Sequence, residues 1–369
     1  MHANEEKSAG GVFMKAIICR EFKNYMKNPL YWIGIVIFIF SVYSCLSEYL
    51  KIHTFSSSQE VESLKNARPT DADVTNGYIP TSSEERTDIG LNDIKQTFID
   101  GYDLTEQEAE AAIEDVKAQN LSIAGTIKYL EDEYQFYDGK AVFKEAEQKK
   151  GTMDELNDYI ISKISEHSYA YYFAKKYVDI IGFHLAFFAT VLLAFLFVRD
   201  TKKDTYELLH TKPVSAKSYV LGKYLGGVLP LSLAVLIITV IFAVLCQSNE
   251  LQISMVDSLG HMLLAALLYV MPTVLISTGI YVLTALLFRN PLPAIPLILA
   301  YIVYSNMGSC DTNGNYGFYG QLLGMLFRFE GKFFETKVLP VFLLNQIALL
   351  LLTLLFLGIG IWCWRKRRQ

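Results

Sequence analysis

Long apolar stretches alternate with polar segments along the chain, and this pattern indicates which elements it forms. A helix that crosses the hydrocarbon core of a bilayer needs about 20 mostly apolar residues. Six stretches reach or approach that length, and the last of them contains no charged residue. The pattern therefore predicts an all-α membrane protein with six transmembrane helices, at 31–47, 177–198, 219–246, 258–288, 291–307 and 338–364.

Glycine and proline interrupt two of these stretches. The third contains Gly226-Gly227 and Pro230, and the fourth contains Pro272. Because proline lacks the backbone N–H that a helix interior uses, we expect broken or tilted helices at both places. The fourth and fifth stretches adjoin at Arg289-Asn290-Pro291, which predicts a tight turn there.

Charge is distributed unevenly over these segments. The 369 residues carry a formal net charge of −5, but residues 48–176 hold 26 acidic and 14 basic residues, a net charge of −12, while the rest of the chain carries +7. This imbalance excludes a single soluble globule. Basic residues beside the predicted spans lie at 15–27, 199–223, 289 and 365–368. Such residues mark the cytoplasmic side of a membrane, and all four places share one side if there are six spans.

The predicted topology is therefore that of a multi-pass protein of the cell membrane with both termini cytoplasmic. A cytoplasmic loop lies at 199–223 and an outer loop at 308–337. The predicted parts are a cytoplasmic leader with an interfacial helix at 1–30, the first span at 31–47, a mainly helical extracytoplasmic domain at 48–176, and the remaining spans at 177–369.

Helix-capping patterns occur within the acidic segment. The runs Thr105-Glu106-Gln107-Glu108 and Thr152-Met153-Asp154-Glu155 are capping boxes. The first predicts a helix to about Gln119, a second helix follows at 121–137, and the Thr152 box predicts a helix that continues straight into the second span. The acidic surface is either a receptor for a cationic substrate or an ordinary solvated face. We favour the solvated face, because charges on capped helices usually contact water.

Motifs for independent chemistry are absent from the sequence. It contains no phosphate-binding G-x-x-x-x-G-K-[ST] loop, no His-Glu-x-x-His zinc site and no G-x-S-x-G nucleophile elbow. The six histidines lack metal-ligand spacing, and we expect no metal, no cofactor and no nucleic-acid partner for this chain. The five cysteines form no disulfide framework, and pairing of Cys45 with Cys310 near the predicted outer face stays open.

A few polar side chains fall inside the predicted spans, where ionisable groups suggest function by default. Asp179 and His184 lie early in span two, and His261 opens span four. We expect Asp179 at the membrane interface, in a snorkelling or capping role. Asn345 and Gln346 of span six are expected to form hydrogen bonds between helices. No acidic relay crosses the membrane, which disfavours a secondary transporter driven by protons.

An amphipathic pattern precedes the first span. Residues 16–27 place apolar and basic side chains on opposite faces of a helix that ends at Asn28-Pro29. This pattern predicts an interfacial helix on the inner surface of the bilayer. Its apolar face contains Ile18, Phe22, Tyr25 and Met26, and its basic face contains Arg20, Lys23 and Lys27.

The cytoplasmic loop at 199–223 carries a recognisable motif. It contains Glu207-Leu208-Leu209, then Thr211-Lys212-Pro213-Val214-Ser215, then Val220-Leu221-Gly222-Lys223. With six spans and an interfacial helix, this loop resembles the one between spans two and three of ABC-type-2 exporter permeases, the transmembrane subunits of bacterial ABC transporters. Thr205-Tyr206 stands where the family often has Gly-Thr, and Ala216-Lys217 where it often has Arg-Arg or Arg-Lys.

The resemblance implies a non-catalytic permease that exports a peptide, lipid or drug-like substrate. ATP and magnesium would be bound by separate ABC ATPase subunits, and a second permease copy would complete a homodimer or heterodimer. A short helix with exposed leucines, ended by a proline, would couple the chain to the ATPase. The implied coupling residues are Glu207, Leu208, Leu209, Pro213, Val214 and Ser215. The family also has half-helices before its last span, and residues 321–327 are apolar enough to enter the outer leaflet.

Two alternatives remain at this point. An FtsX-like mechanotransmitting permease usually has four spans, with its outer domain after the first. A membrane-anchored sensor or immunity protein would bind a peptide through the outer domain without transport, and would not depend on an ATPase.

Overall fold

The computed structural model is a helical chain that divides into two compact units. The membrane unit comprises Met1–Lys51 and Glu166–Gln369, and the insert comprises Ile52–Ser165. The structure describes the backbone of residues 2–70, 72–194, 196, 214–252, 254–307, 321–329, 331–336, 338 and 341–368, with side chains between residues 11 and 366.

Helices account for most of the described chain. In chain order they are α1 (His2–Met26), α2 (Pro29–Leu46), α3 (Ser58–Ser63), α4 (Ser83–Gly101), α5 (Glu106–Ala118), α6 (Ile123–Tyr134), α7 (Gly139–Glu145), α8 (Met153–Glu166), α9 (Tyr169–Leu193), α10 (Ala216–Gln247), α11 (Met255–Ala265), α12 (Met271–Phe288), α13 (Ala294–Asn306) and α14 (Phe342–Arg368). Two short strands, β1 (Tyr78–Pro80) and β2 (Gln148–Lys150), pair antiparallel within the insert.

Five helical segments of the described chain are long and apolar enough to cross a membrane. They are Pro29–Leu46, Tyr169–Leu193, Ala216–Gln247, Met255–Phe288 and Phe342–Lys366. The all-α membrane architecture predicted from the sequence is thus confirmed. The predicted fifth span corresponds to α13, which has only 13 residues. At 1.5 Å per residue it is about 20 Å long, shorter than a hydrocarbon core of about 30 Å.

The membrane unit is built around α9. This helix packs against α2, α10, α11, α12 and α13. Of the five long segments it is the most buried, at 61%, whereas α2 is 28% buried and leaves most of its apolar surface outside the chain. The helix also begins at Tyr169, eight residues before the predicted start of the second span, because Ser168 adopts an extended backbone and opens a new helix.

The predicted break at Gly226-Gly227 and Pro230 is wrong, and a tilt of this helix in the bilayer stays a prediction. Helix α10 is continuous over 32 residues, with Pro230 inside it. Pro230 removes one backbone N–H from the hydrogen bonds of this helix, yet the helix runs through it. The carbonyl of Pro230 itself accepts a hydrogen bond of 2.7 Å from the hydroxyl of Tyr31 on α2.

An interruption does occur near Pro272. Residues Ala266–Val270 form a π-helical turn between α11 and α12, directly before Pro272 at the start of α12. The wider turn accommodates the missing proline N–H and lets both halves continue in one direction. The predicted tight turn after α12 is confirmed, since Arg289 has a left-handed backbone with φ of 54° and Asn290 Oδ1 accepts from the amide of Leu292 at 3.0 Å.

A non-helical segment, here called the strap (residues 321–329 and 331–336), packs within the membrane unit. Its Met325, Leu326 and Phe327 are buried. The expected half-helix is therefore wrong for 321–327, which forms turns and extended backbone. The hydroxyls of Tyr301 and Tyr304 on α13 donate to strap carbonyls. The strap thus covers the end of the short helix α13.

The insert has its own apolar core, formed by one face each of α4, α5, α6 and α7. Both predicted capping boxes are present, at Thr105–Glu108 and at Thr152–Glu155. A third, Ser82 with Glu85, opens α4, which sequence reasoning missed although the S-x-x-E pattern is visible. The predicted continuation of α8 into the second span is wrong, because α8 ends at Glu166. The core side chains include Leu91, Ile94, Phe98, Ile113, Val116, Leu130, Phe136 and Phe143.

Candidate functional site around the start of helix α10

The predicted coupling segment is described only at its end. Glu207, Leu208, Leu209 and Pro213 lie outside the described residues. Val214 is buried, and Ser215 is the N-cap of α10. The Ser215 hydroxyl oxygen accepts from the amide of Ser218 at 3.1 Å, which satisfies one of the free N–H groups at the helix start.

A buried ion pair joins this end of α10 to the N-terminal helix α1. Lys223 Nζ lies 2.7 Å from Glu21 Oε1, and the two residues are only 4% and 9% exposed. The ammonium group also donates to the carbonyl of Leu196 at 3.3 Å. Two charges removed from water persist only when they are paired and hydrogen-bonded, as they are here.

Two glycines let α1 approach α10 closely. A Cβ atom added at Gly226 would lie 2.7 Å from Glu21 Cβ, and one added at Gly222 would lie 3.0 Å from Ile17 Cβ. Residues four apart share one helix face, so Gly222 and Gly226 form a flat strip beneath α1. The Val220-Leu221-Gly222-Lys223 motif thus supplies both a packing surface and a charge for the N-terminal helix.

The start of α10 also contacts the end of α14. The rings of Tyr219 and Trp364 stack with centroids 3.9 Å apart. A Cβ at Gly360 would lie 3.7 Å from Val220 Cγ1, an ordinary van der Waals contact. The first two turns of α10 therefore contact both α1 and α14.

The residues predicted to form an interfacial helix are helical, and the helix is longer, since α1 begins at His2 rather than near Ala16; its place at the interface stays a prediction. Sequence reasoning missed Glu21, which points toward α10 from the same helical stripe as Ile17 and Tyr25. An acidic residue spaced four from apolar residues on both sides was the available signal. Tyr25 is buried and its hydroxyl donates to Leu192 O at 3.4 Å. Of the other predicted residues, Phe22 and Met26 are half-buried, and Arg20, Lys23 and Lys27 are exposed.

The ionisable residues early in α9 bind the strap. Arg328 Nη1 lies 3.4 Å from Asp179 Oδ1. Lys175 and Lys176 are buried and donate to the carbonyls of Thr336 and Gly331, at 3.1 and 2.8 Å. Asp179, near the middle of α9, thus forms an ion pair with the strap, and its expected position at the membrane interface stays a prediction.

Three further polar residues of the predicted spans have local partners, whereas the Oε1 atom of Gln346, expected to bond to another helix, is buried without a hydrogen-bond partner. His184 Nδ1 contacts the carbonyl of Ile180 at 2.9 Å, and His261 pairs with Asp257 at 3.1 Å. Asn345 donates to the carbonyl of Gly324 at 3.0 Å, so it binds the strap instead of another helix. Within the described residues no group of His, Cys, Asp or Glu could hold a metal ion. Of the two cysteines considered for pairing, Cys45 is exposed, while Cys310 lies outside the described part.

Several acidic residues of the insert form ion pairs or hydrogen bonds within the insert. Glu108 caps α5 and Glu110 pairs with Lys95 of α4. Asp115 accepts hydrogen bonds of 2.8 and 2.9 Å from two tyrosine hydroxyls of α6, which hold the pKa of this carboxyl below its usual range. These contacts support the interpretation of a solvated helical surface stabilised by its own charge pairs.

Comparison with known proteins identifies a family. Residues 15–310 match the model of a family described as ABC-2 family transporter protein. The matched range includes the second half of α1, the insert, the segment 199–223 and the helices up to α13. No curated protein and no solved structure matched the chain.

Proposed function

The chain belongs to the ABC-2 family of transporter proteins, and we propose that it is the permease subunit of an ATP-driven exporter that works with a separate ATP-hydrolysing subunit. The family consists of transmembrane components that associate with ABC ATPases. The observation that carries the proposal is the buried pair of Glu21 and Lys223, because it links the end of the coupling segment to the N-terminal helix.

The proposed mechanism is mechanical transmission through α10. An ATPase subunit holds residues 207–215, which lead directly into α10 through the Ser215 cap. Helix α10 is continuous for 32 residues, about 48 Å, so a displacement at its start reaches the opposite side of the membrane. Helix α1 moves with α10, since the ion pair and the glycine strip bind them together.

The proposed complex contains two permease and two ATPase chains, with ATP and magnesium bound by the ATPases. The permeases are two copies of this chain or this chain and a related one. Both termini lie in the cytoplasm and the insert lies outside the cell membrane. The exported substrate is a peptide, a lipid or a drug-like molecule. The five long apolar segments exceed the four spans of the FtsX-like alternative, which favours the exporter.

The coupling contact is tested by replacing Leu208 and Leu209 together with aspartate. Two carboxylates on the face that enters an apolar groove of the ATPase would be desolvated without partners, so the ATPase should no longer co-purify with the permease. Affinity purification of the tagged permease, followed by quantification of the ATPase, measures this directly.

A matched control is Leu121→Asp, because Leu121 is an exposed leucine of the insert. This variant should retain the ATPase in full. An intact complex with the doubly substituted coupling segment would refute the proposed contact, provided that the permease is present in the membrane at its usual level.

A further inference from the structure

A cavity of about 380 Å³ opens at the surface of the membrane unit between α12, α13 and α14. Its walls include Leu283 of α12, Leu297 and Tyr301 of α13, and Leu352 and Phe356 of α14. Leu323 of the strap closes one end, where the Tyr301 hydroxyl donates to its carbonyl. The cavity therefore has three helical walls and one closed end.

The few polar atoms around this cavity are already engaged. Thr284 donates to the carbonyl of Ile280 on its own helix at 2.8 Å, and Tyr304 donates to the carbonyl of Leu322 at 2.7 Å. The Tyr301 hydroxyl is used in the same way. Among the described residues, the walls contain no charged side chain. A ligand in this cavity would form no hydrogen bond or ion pair with the walls. The ligand that fits is therefore a hydrocarbon chain.

The position of the cavity identifies the source of that hydrocarbon. Its walls belong to apolar helices of the membrane unit, and the leucines at its mouth are open to the surrounding medium, with Leu297 50% exposed. Helix α13 is only about 20 Å long, so packed helix does not fill the full depth of the hydrocarbon core beside it. The strap covers the end of α13, so the space that stays open is the lateral one between the helices, and the adjacent bilayer must fill it, since a void would forfeit dispersion contacts on every wall.

We propose that this cavity is a binding site for one acyl chain of a membrane lipid. The acyl chain enters from the side between α13 and α14 and lies against Leu297, Leu352 and Phe356. The strap closes the end of the cavity. This site does not depend on the proposed transport function, and its test needs no ATPase subunit.

The test uses the full chain reconstituted in phosphatidylglycerol–phosphatidylcholine vesicles that contain a trace of phosphatidylcholine with a photoactivatable diazirine in one acyl chain. After illumination and proteolysis, mass spectrometry locates the labelled residues. We expect adducts on the cavity walls, above all at Leu297, Tyr301 and Leu352, at higher yield than on the open lipid-facing surface of α2. Enrichment follows because a chain held in the cavity stays beside these residues longer than bulk lipid does.

Matched tryptophan variants distinguish binding in the cavity from general contact of lipid with the protein surface. Leu352→Trp fills the cavity, whereas Leu355→Trp places the same ring on an exposed part of α14. Leu297→Trp and Leu299→Trp form the corresponding pair on α13. The two cavity-filling variants should lower the labelling yield at Tyr301 by at least about fivefold, because the indole ring occupies the space of the acyl chain. The two control variants should leave the labelling yield at Tyr301 unchanged.

Three results would overturn the proposal. Equal labelling yields on the cavity walls and on the α2 surface would show that the cavity does not hold an acyl chain. Labelling of Tyr301 that persists in both filled variants, with folding verified by size-exclusion chromatography, would place the label outside the cavity. Absence of lipid adducts together with a disulfide between two Leu297→Cys chains would show that a second copy of this protein occupies the mouth instead.

Discussion

Glu21 and Lys223 show how a single pair of residues can decide the arrangement of helices. Each charge alone would be unstable beside apolar side chains, and together they require α1 to lie against the start of α10 in one register. The same principle holds for Asp179 and Arg328, which require the strap to lie against α9. In both pairs the residues come from distant parts of the chain, and each pair excludes alternative packings in which its charges would be separated.

The first prediction concerns the stability of the Glu21–Lys223 pair. Lys223→Met leaves a buried carboxylate without its partner and should destabilise the protein by about 3–5 kcal/mol. The double variant Glu21→Met with Lys223→Met removes both charges and should recover most of that loss. Thermal unfolding of the purified full chain in detergent measures both effects. Equal destabilisation by the single and double variants would contradict the role of the pair as an interacting unit.

At the scale of elements, close contacts decide which helices move together. Glycine strips bring α1 onto α10, and the hydroxyl of Tyr31 binds α2 to the middle of α10 at Pro230. Helix α10 therefore contacts α1, α2, α9 and α14 while remaining one continuous element. A helix that is bound at its start and unbroken along its length is suited to carry a displacement across a membrane.

The second prediction tests the contact between α1 and α10. Gly226→Ala introduces a methyl group 2.7 Å from Glu21 Cβ, so α1 must shift, and we expect a loss of about 1–3 kcal/mol. Gly358→Ala is the control, because nothing lies within 4 Å of an added Cβ there. The control should be neutral or stabilising by up to about 1 kcal/mol, as alanine favours helix more than glycine. Comparable unfolding temperatures for the two variants would argue against a tight interface.

At the scale of the whole molecule, the short helix α13 determines the topology. Asn306, at the end of α13, accepts a hydrogen bond from Arg328, which also contacts Asp179 ten residues into α9. The preceding turn at Arg289 follows the far end of α12. The end of α13 therefore lies beside the middle of α9, where the strap covers it. Six crossings, with α13 as the fifth, stay a prediction.

The third prediction tests that topology in cells. Single cysteines at Glu106, Lys212 and Lys366, in a chain whose five native cysteines are replaced by alanine, are treated with a membrane-impermeant maleimide. Glu106 should react in intact cells, and the other two only after permeabilisation. With five crossings instead of six, Lys366 would react without permeabilisation, so the C-terminal site decides between the two.

Local sequence patterns were sufficient for much of the fold. The apolar stretches identified the long helices, the capping boxes at Thr105 and Thr152 located α5 and α8, and the motif ending at Lys223 indicated the family. These signals depend on residues within a few turns of one another, which is the range over which side-chain periodicity and capping act. Helix α4 was not predicted, although the Ser82–Glu85 capping box that opens it is a local pattern of the same kind and is visible in the sequence.

Only the tertiary structure decided the contacts between distant residues. Glu21 and Lys223 are 202 positions apart, and neither residue alone reveals that it is buried with the other. Pro230 predicts a break in isolation, yet α10 continues through it, and Tyr31 of α2 binds its carbonyl. The physical reason is common to these cases. Local preferences are worth up to about 1 kcal/mol for most residues and about 3 kcal/mol for proline, whereas a buried charge left unpaired costs about 3–5 kcal/mol, so packing overrides them.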